Sequence, residues 1–225
     1  MVMRQANKPY RGLLPMEGRI ARRYADLRGS ANQAELYRRQ AAELTAGLGD
    51  GAEVLEIAPG PGYLAIEMAR TGRVRVTGLD VSTTFVELAT AAARKAGADV
   101  EFRAGDAADM PFDAGSFDLA VSQAAFKNFS RPGRALAEIH RVLRPGGTAI
   151  IQDMNRDASA AGIAAEVTGM GLGRGSAAMT KVILSRLRRR AYSPPQFERL
   201  VAASPFRTCE ITTEGIGLEV RMKKP

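Results

Sequence analysis

The chain has 225 residues, 45% hydrophobic and 25% charged, a balance that suits a globular fold with one full core and excludes a disordered or fibrous chain. A single cysteine and a single histidine exclude an internal disulfide and leave no zinc-ligand set. The net charge of +8 sits in the flanks: residues 1–50 hold 9 Lys/Arg against 5 Asp/Glu, residues 51–153 hold 11 against 13, and residues 154–225 hold 12 against 6.

Met16–Arg28 and Asn32–Leu48 read as two N-terminal helices. Ala52–Ala58 is a short apolar strand that runs into a Gly/Pro loop, and Tyr63–Arg70 follows as a helix. Arg73–Asp80 is a β-branched strand ending in an acid, and Ser82 is placed to cap a helix reaching about Ala96. Val100–Ala104 and Phe117–Ser122 are the next two strands. Pro132–Leu143 carries apolar residues at helical spacing and stops at Arg144-Pro145-Gly146-Gly147; Thr148–Gln152 is then a strand, apolar as a buried parallel strand should be. The stretch 155–192 breaks the alternation, with a glycine-rich run at 169–176 and a basic helix over Ala177–Arg190. Ser193-Pro194 opens a last helix to about Ala203, and Phe206–Thr213 and Gly217–Lys223 close the chain as two strands around a Glu214-Gly215 turn.

Repeated β–α units of this length predict an α/β fold, a mostly parallel sheet with helices on both faces. Ligands of such sheets sit beyond the carboxyl ends of the strands, where strand order reverses. The Gly60 loop, Asp80, Asp106 and Ser122 each follow a different strand and fall on that rim. The loop itself, Gly60-Pro61-Gly62-Tyr63-Leu64-Ala65, fits a dinucleotide fingerprint. Its surroundings are acidic, however, and Glu56 just ahead of it would oppose a pyrophosphate at the helix N-terminus. Glu56, Asp80 and Asp106 instead suit a cofactor with a sulfonium, an ammonium and two ribose hydroxyls, so charge favours S-adenosylmethionine over NAD.

Four segments in this order and spacing resemble the class I S-adenosylmethionine-dependent methyltransferases, in particular the ubiquinone/menaquinone-biosynthesis branch. They are the glycine motif Val54-Leu55-Glu56-Ile57-Ala58-Pro59-Gly60-Pro61-Gly62, the second-strand motif Gly78-Leu79-Asp80-Val81-Ser82, the adenine-side motif running from Gly105-Asp106-Ala107 to Phe112, and the turn Arg141–Gly147. Ala58 departs from the pattern, standing where the family usually has its first glycine. The resemblance implies a Rossmann-like seven-stranded methyltransferase fold that binds S-adenosylmethionine and releases S-adenosylhomocysteine. It also implies roles. Glu56 and the backbone of Ala58, Pro59, Gly60 and Gly62 would hold the methionine portion. Asp80, beside Val81, would take the ribose, and Asp106, with Gly105 and Ala107, the adenine. Tyr24 resembles an aromatic near the cofactor tail, and Ser122 and Gln123 complete the rim. The same resemblance makes residues 51–154 the cofactor core of a single domain, residues 1–48 and 155–192 caps over the methyl group, and residues 193–225 the closing helix and strands.

Methyl transfer from a sulfonium is an in-line displacement that works largely by alignment, and a general base is optional. None stands out: His140 lies in the helix before the Arg141 turn, away from the rim. Phe126 and Lys127 follow the fourth strand and are the candidate substrate contacts, Lys127 for an anionic or phenolic acceptor. No metal is expected, since Ser122-Gln123 occupies the position where metal-dependent relatives need an acid. A small-molecule acceptor is the favoured partner. A pI near 10 keeps an RNA methyltransferase as the alternative, although only 6% of residues are aromatic and no RNA-binding module is recognisable. A cofactor-binding regulator without catalysis is the other alternative. The lack of a long apolar run or an apolar N-terminal leader predicts a cytoplasmic protein with no membrane span.

Overall fold

The computed structural model describes residues 16–29 and 31–225. Its elements in chain order are α1 (Gly18–Arg28), α2 (Ala31–Thr45), β1 (Ala52–Ile57), α3 (Tyr63–Arg70), β2 (Val74–Asp80), α4 (Thr83–Ala96), β3 (Val100–Ala104), β4 (Phe117–Gln123), α5 (Pro132–Val142), β5 (Leu143–Met154), α6 (Ala160–Gly169), α7 (Arg174–Arg188), α8 (Pro194–Ala202), β6 (Glu210–Glu214) and β7 (Gly217–Lys223). The seven strands form one sheet in the order β3-β2-β1-β4-β5-β7-β6. The first five pair in parallel, while β7 inserts antiparallel between β5 and β6.

Strand alternation divides the core between the two faces. Leu55, Ile57, Ala120 and Ile151 pack with the α5 and α8 side chains Leu136, Ile139, Phe197 and Val201. Val54, Val121 and Ile150 point the other way, against Tyr37, Ala41, Leu64 and Met68 of α2 and α3. Glu56 sits between Leu55 and Ile57, so it shares the α2–α3 face. From β1 the chain proceeds outward to β2 and β3, then crosses back so that β4 lies on the other side of β1. The carboxyl ends of β1 and β4 therefore part company, and a crevice opens between them.

Local signals set most boundaries. The Ser82 hydroxyl accepts from the Phe85 amide at 3.1 Å to start α4, and Gly97 ends it with φ 63°. The Ser193 amide donates to Gln196 Oε1 at 3.0 Å at the head of α8. Three expectations change. Arg144–Gly147 does not break the chain but lies inside β5 as an irregularity, the pairing shifting between Phe117 and Leu119. It is held there because the Arg144 guanidinium reaches Asp118 and the Gly146 amide and Gly147 carbonyl pair with Lys224. In the stretch that breaks the alternation, α6 precedes the glycine-rich run, capped by the Ser159 hydroxyl, which accepts from the Gly162 amide at 2.9 Å, and α7 starts at Arg174 inside that run rather than at Ala177. Strand β6 starts only at Glu210, because Arg207 takes the left-handed conformation at φ 66° after Phe206 is buried.

Candidate functional site

A cleft of about 1110 Å³ opens over the β1/β4 crevice. Its floor is the β1–α3 loop, its walls carry the ends of β2, β4 and β5, and α1, α2, α6 and α7 contribute residues to its rim.

The loop begins under strain. Ala58 has φ 57°, a left-handed conformation that costs an L-residue about 1 kcal/mol, and its amide is held by the Leu79 carbonyl at 2.8 Å. Gly60 follows at φ 56°, and a Cβ there would come 3.9 Å from Tyr24 Cε1, so the Tyr24 ring stands over the loop. Tyr24 is half-exposed and meets Phe85 edge-on with centroids 5.9 Å apart. At the end of β4, Ala124 is also left-handed at φ 56°. Strain thus sits on both sides of the crevice.

Two carboxylates lie at the bottom. Glu56 is 3% exposed, and its Oε2 is buried without a hydrogen-bond partner. Burial pushes its pKa up to about 8; the Ala65 backbone opposes the rise and the nearby Asp80 charge adds to it. Asp80 is also buried, yet both oxygens are engaged: Oδ2 accepts the Gly60 amide at 3.0 Å and Oδ1 the Ser82 amide at 2.9 Å. Burial lifts it to about 6 against those two bonds, with the Glu17 charge contributing. Next to it Val81 is 50% exposed, a large apolar side chain facing open space at the cleft wall.

Asp106 is held from two sides, its Oδ1 accepting the Ala108 amide at 2.9 Å and its Oδ2 pairing with Arg131 at 2.6 Å. At the other end, Gln123 donates to Gln152 at 3.1 Å, and Gln152 donates to Glu219 at 2.8 Å. Lys127 is buried, with its ammonium 2.7 Å from Asp153 Oδ1 and also bonded to the Ala124 carbonyl. Asp153 Oδ2 accepts the Lys127 amide at 2.9 Å, so the pair is closed on itself.

Residues 55–151 match the family model described as a methyltransferase domain. The segment is a class I S-adenosylmethionine-dependent methyltransferase domain. Over 99 residues the chain is 39% identical to the demethylmenaquinone methyltransferase of Chlorobaculum tepidum, covering 44% of this chain and 39% of that one. Over 113 residues it is 39% identical to the phthiotriol/phenolphthiotriol dimycocerosates methyltransferase of Mycobacterium tuberculosis, 50% and 40% of the two chains. The chain thus spans about two fifths of the length of these curated relatives. A solved S-adenosylmethionine-dependent methyltransferase from Aquifex aeolicus superposes with a TM-score of 0.67 over 90% of this chain and 98% of that one; at 17% identity this is a likeness of fold.

Most of the residues expected at the cofactor site of the methyltransferase domain line the cleft: Tyr24, Glu56, Ala58, Pro59 and Gly60, then Asp80, Val81, Gly105, Asp106, Ala107 and Gln123. Three do not. Gly62 faces away, where a Cβ would come 2.7 Å from Phe102 Cζ, so its glycine serves helix–strand packing. Ser122 alternates to the opposite side of β4 from Val121 and is buried with its hydroxyl unpartnered. Phe126 is a core residue, enclosed by Phe129, Tyr192 and Phe197 at centroid distances of 5.1, 5.9 and 5.3 Å, and it cannot meet a substrate. Lys127 does line the cleft, but as half of a buried ion pair rather than a free cation.

Sequence reasoning missed Asp153, although it ends β5 on the same rim as the residues it found. It also missed Arg131, which precedes α5 and reaches Asp106 only through the fold, and Leu184 and Leu187 of α7.

Proposed function

We propose that the chain binds S-adenosylmethionine in this cleft and transfers its methyl group to a neutral or phenolic small molecule. The observation that carries the reading is the buried Glu56 carboxyl, whose Oε2 has no hydrogen-bond partner, beside a second buried carboxyl, Asp80, at the switch point of the sheet. A buried carboxyl with one orphaned oxygen is costly and suits a cation as its missing partner. A pyrophosphate would add negative charge to the same spot.

The residues present fit this cofactor. Glu56 would receive the ammonium of the methionine portion, and the left-handed Ala58–Gly60 backbone allows a close approach. Each Asp80 oxygen accepts one backbone N–H and keeps a lone pair, so two ribose hydroxyls can still be bound. Val81 offers an apolar face to the adenine, and Asp106 an acceptor for its amino group. Bound there, S-adenosylmethionine supplies an electrophilic methyl group whose displacement leaves a neutral thioether. The protein's part is to align the acceptor and keep water out. We infer a metal-independent transfer and assign residues 1–48, of which 1–15 and 30 lie outside the described residues, and residues 155–192 as caps over the 51–154 core.

The acceptor end joins polar Gln123, Gln152 and Asn128 to apolar Leu184 and Leu187. Because Asp153 already neutralises Lys127, no free lysine charge awaits an anion there, which favours a neutral or phenolic acceptor over an anionic one. The names of the two curated relatives, one of them a quinone-type methyltransferase, are in keeping with an acceptor of apolar body.

Calorimetric titration with S-adenosylhomocysteine, with NAD as the parallel ligand, tests the reading. Saturable binding of the first and none of the second is expected, with affinity falling by about tenfold or more in Asp80→Ala through loss of charge-assisted hydrogen bonds. Binding of NAD instead would return the loop to the dinucleotide class.

A further inference from the structure

The lid has an outer surface that the cleft does not use. Helix α7 buries none of its residues fully. Leu184 and Leu187 line the cleft on its inner side, while Met179, Val182 and Ile183 on the other side are 66%, 50% and 48% exposed. These three lie at i, i+3 and i+4, and exposed Arg186 continues the row one turn on. Met170 and Leu172, in the turn between α6 and α7, extend the apolar surface. Glu166 of α6 turns to the cleft, and beyond it the charge has one sign. From Val167 to Phe197 there are six Lys/Arg and no Asp/Glu, and Arg174, Lys181, Arg186 and Arg189 are exposed.

We propose that the α6–α7 lid is a docking surface for an anionic lipid bilayer. A helix with a solvent-facing aliphatic stripe bordered by Lys and Arg has the design of an interfacial helix: the apolar side chains enter the acyl boundary and the cations meet the headgroups. The alternatives fit the surface less well. Nucleic acid calls for aromatic stacking platforms, and the exposed large side chains here are aliphatic or thioether. A second copy of the chain would bring two strongly basic faces together. Docking in this orientation would set the wall formed by Leu184 and Leu187 directly behind the membrane-facing side of α7. The docking surface stands independently of the methyl-transfer reading, since none of Met179, Lys181, Val182, Ile183 and Arg186 lines the cleft.

The test is co-sedimentation of the full chain with vesicles of phosphatidylglycerol and phosphatidylcholine, set against vesicles of phosphatidylcholine alone. Binding to the anionic vesicles is expected to be tighter by about tenfold or more, and to weaken by a similar factor between about 0.05 and 0.5 M salt. Met179→Glu/Ile183→Glu should lose roughly tenfold in vesicle affinity, with circular dichroism and melting temperature unchanged. Lys181→Ala/Arg186→Ala should erase much of the preference for anionic lipid while leaving the fold intact. The proposal is overturned by equal or absent binding to the two vesicle types, or by anionic binding indifferent to both variants. It is equally overturned if the apolar pair mediates a lipid-free dimer in ultracentrifugation, or if RNA competes the protein off the vesicles through the same residues.

Discussion

At the scale of single residues, the two buried carboxyls make folding and binding respond to pH. Glu56 rises from its ordinary 4.5 to about 8 because burial disfavours its charge, and Asp80 rises from 3.8 to about 6 for the same reason. Between pH 4.5 and about 8 the folded chain keeps a proton on Glu56 that the unfolded chain has released. Stability therefore falls as pH rises through that window and levels off above it. Glu56→Gln removes this contribution. Urea unfolding should find the variant more stable than the parent at pH 8, by an amount on the order of a few kcal/mol, and nearly equal to it at pH 4.5. Parallel pH profiles for the two proteins would show that Glu56 is not held neutral. The alanines at positive φ belong to the same scale: Ala58 and Ala124 end β1 and β4, so both strained positions border the crevice that the strand order creates.

At the scale of elements, α1 is fastened to the core by an exchange of caps. Glu17 accepts the first-turn amides of α4, from Thr83 and Thr84, each at 3.1 Å, while Thr84 Oγ1 accepts the Gly18 amide of α1 at 2.9 Å. Ser82 adds a bond from its hydroxyl to the Met16 carbonyl at 2.7 Å. Each helix satisfies orphan donors of the other, so breaking either half loosens the same junction. Glu17→Ala and Thr84→Val should each cost about 1 kcal/mol, with the pair costing less than the sum. Hydrogen exchange of the α1 amides is the decisive readout, and protection unchanged in the double variant would mean that packing alone holds α1. This clamp was not legible in the sequence, because its partners lie far apart along the chain and Glu17 has no local signature. What was legible depends on short-range chemistry: the alternating β–α units, the Ser82 and Ser193 starts and the Glu214-Gly215 turn need only neighbouring residues. The bulge at Arg144–Gly147 needs Lys224 as a partner, and the core position of Phe126 needs Tyr192 and Phe197, which no local pattern supplies. The acidic rim was found because the order of strands delivers Glu56, Asp80 and Asp106 to one edge whatever their side chains touch. Gly62 and Ser122 share that edge in sequence, yet side-chain direction takes both away from the cleft.

At the scale of the whole molecule, the cleft is assembled from parts that lie far apart along the chain. Its lining comes from α1 and α2 near the start of the chain, the strand ends of the core, α6 and α7, and β6 and β7 at the end. A ligand that touched all of these parts at once would express its binding energy as stability of the entire chain. With S-adenosylhomocysteine at a hundredfold excess over its Kd, linkage predicts a gain of about 2.7 kcal/mol, and for a chain of this size that is a rise of about 5–10 °C in melting temperature. Asp80→Ala should lose most of the rise, measured against the variant's own ligand-free melting temperature because the substitution also strips the Gly60 and Ser82 amides of their acceptor. Hydrogen exchange in the same samples should slow in α1 and at Leu184 and Leu187 together with the Gly60 loop. Protection confined to the loop, with the caps exchanging as before, would show that the caps do not close on the cofactor and that they respond to the acceptor instead.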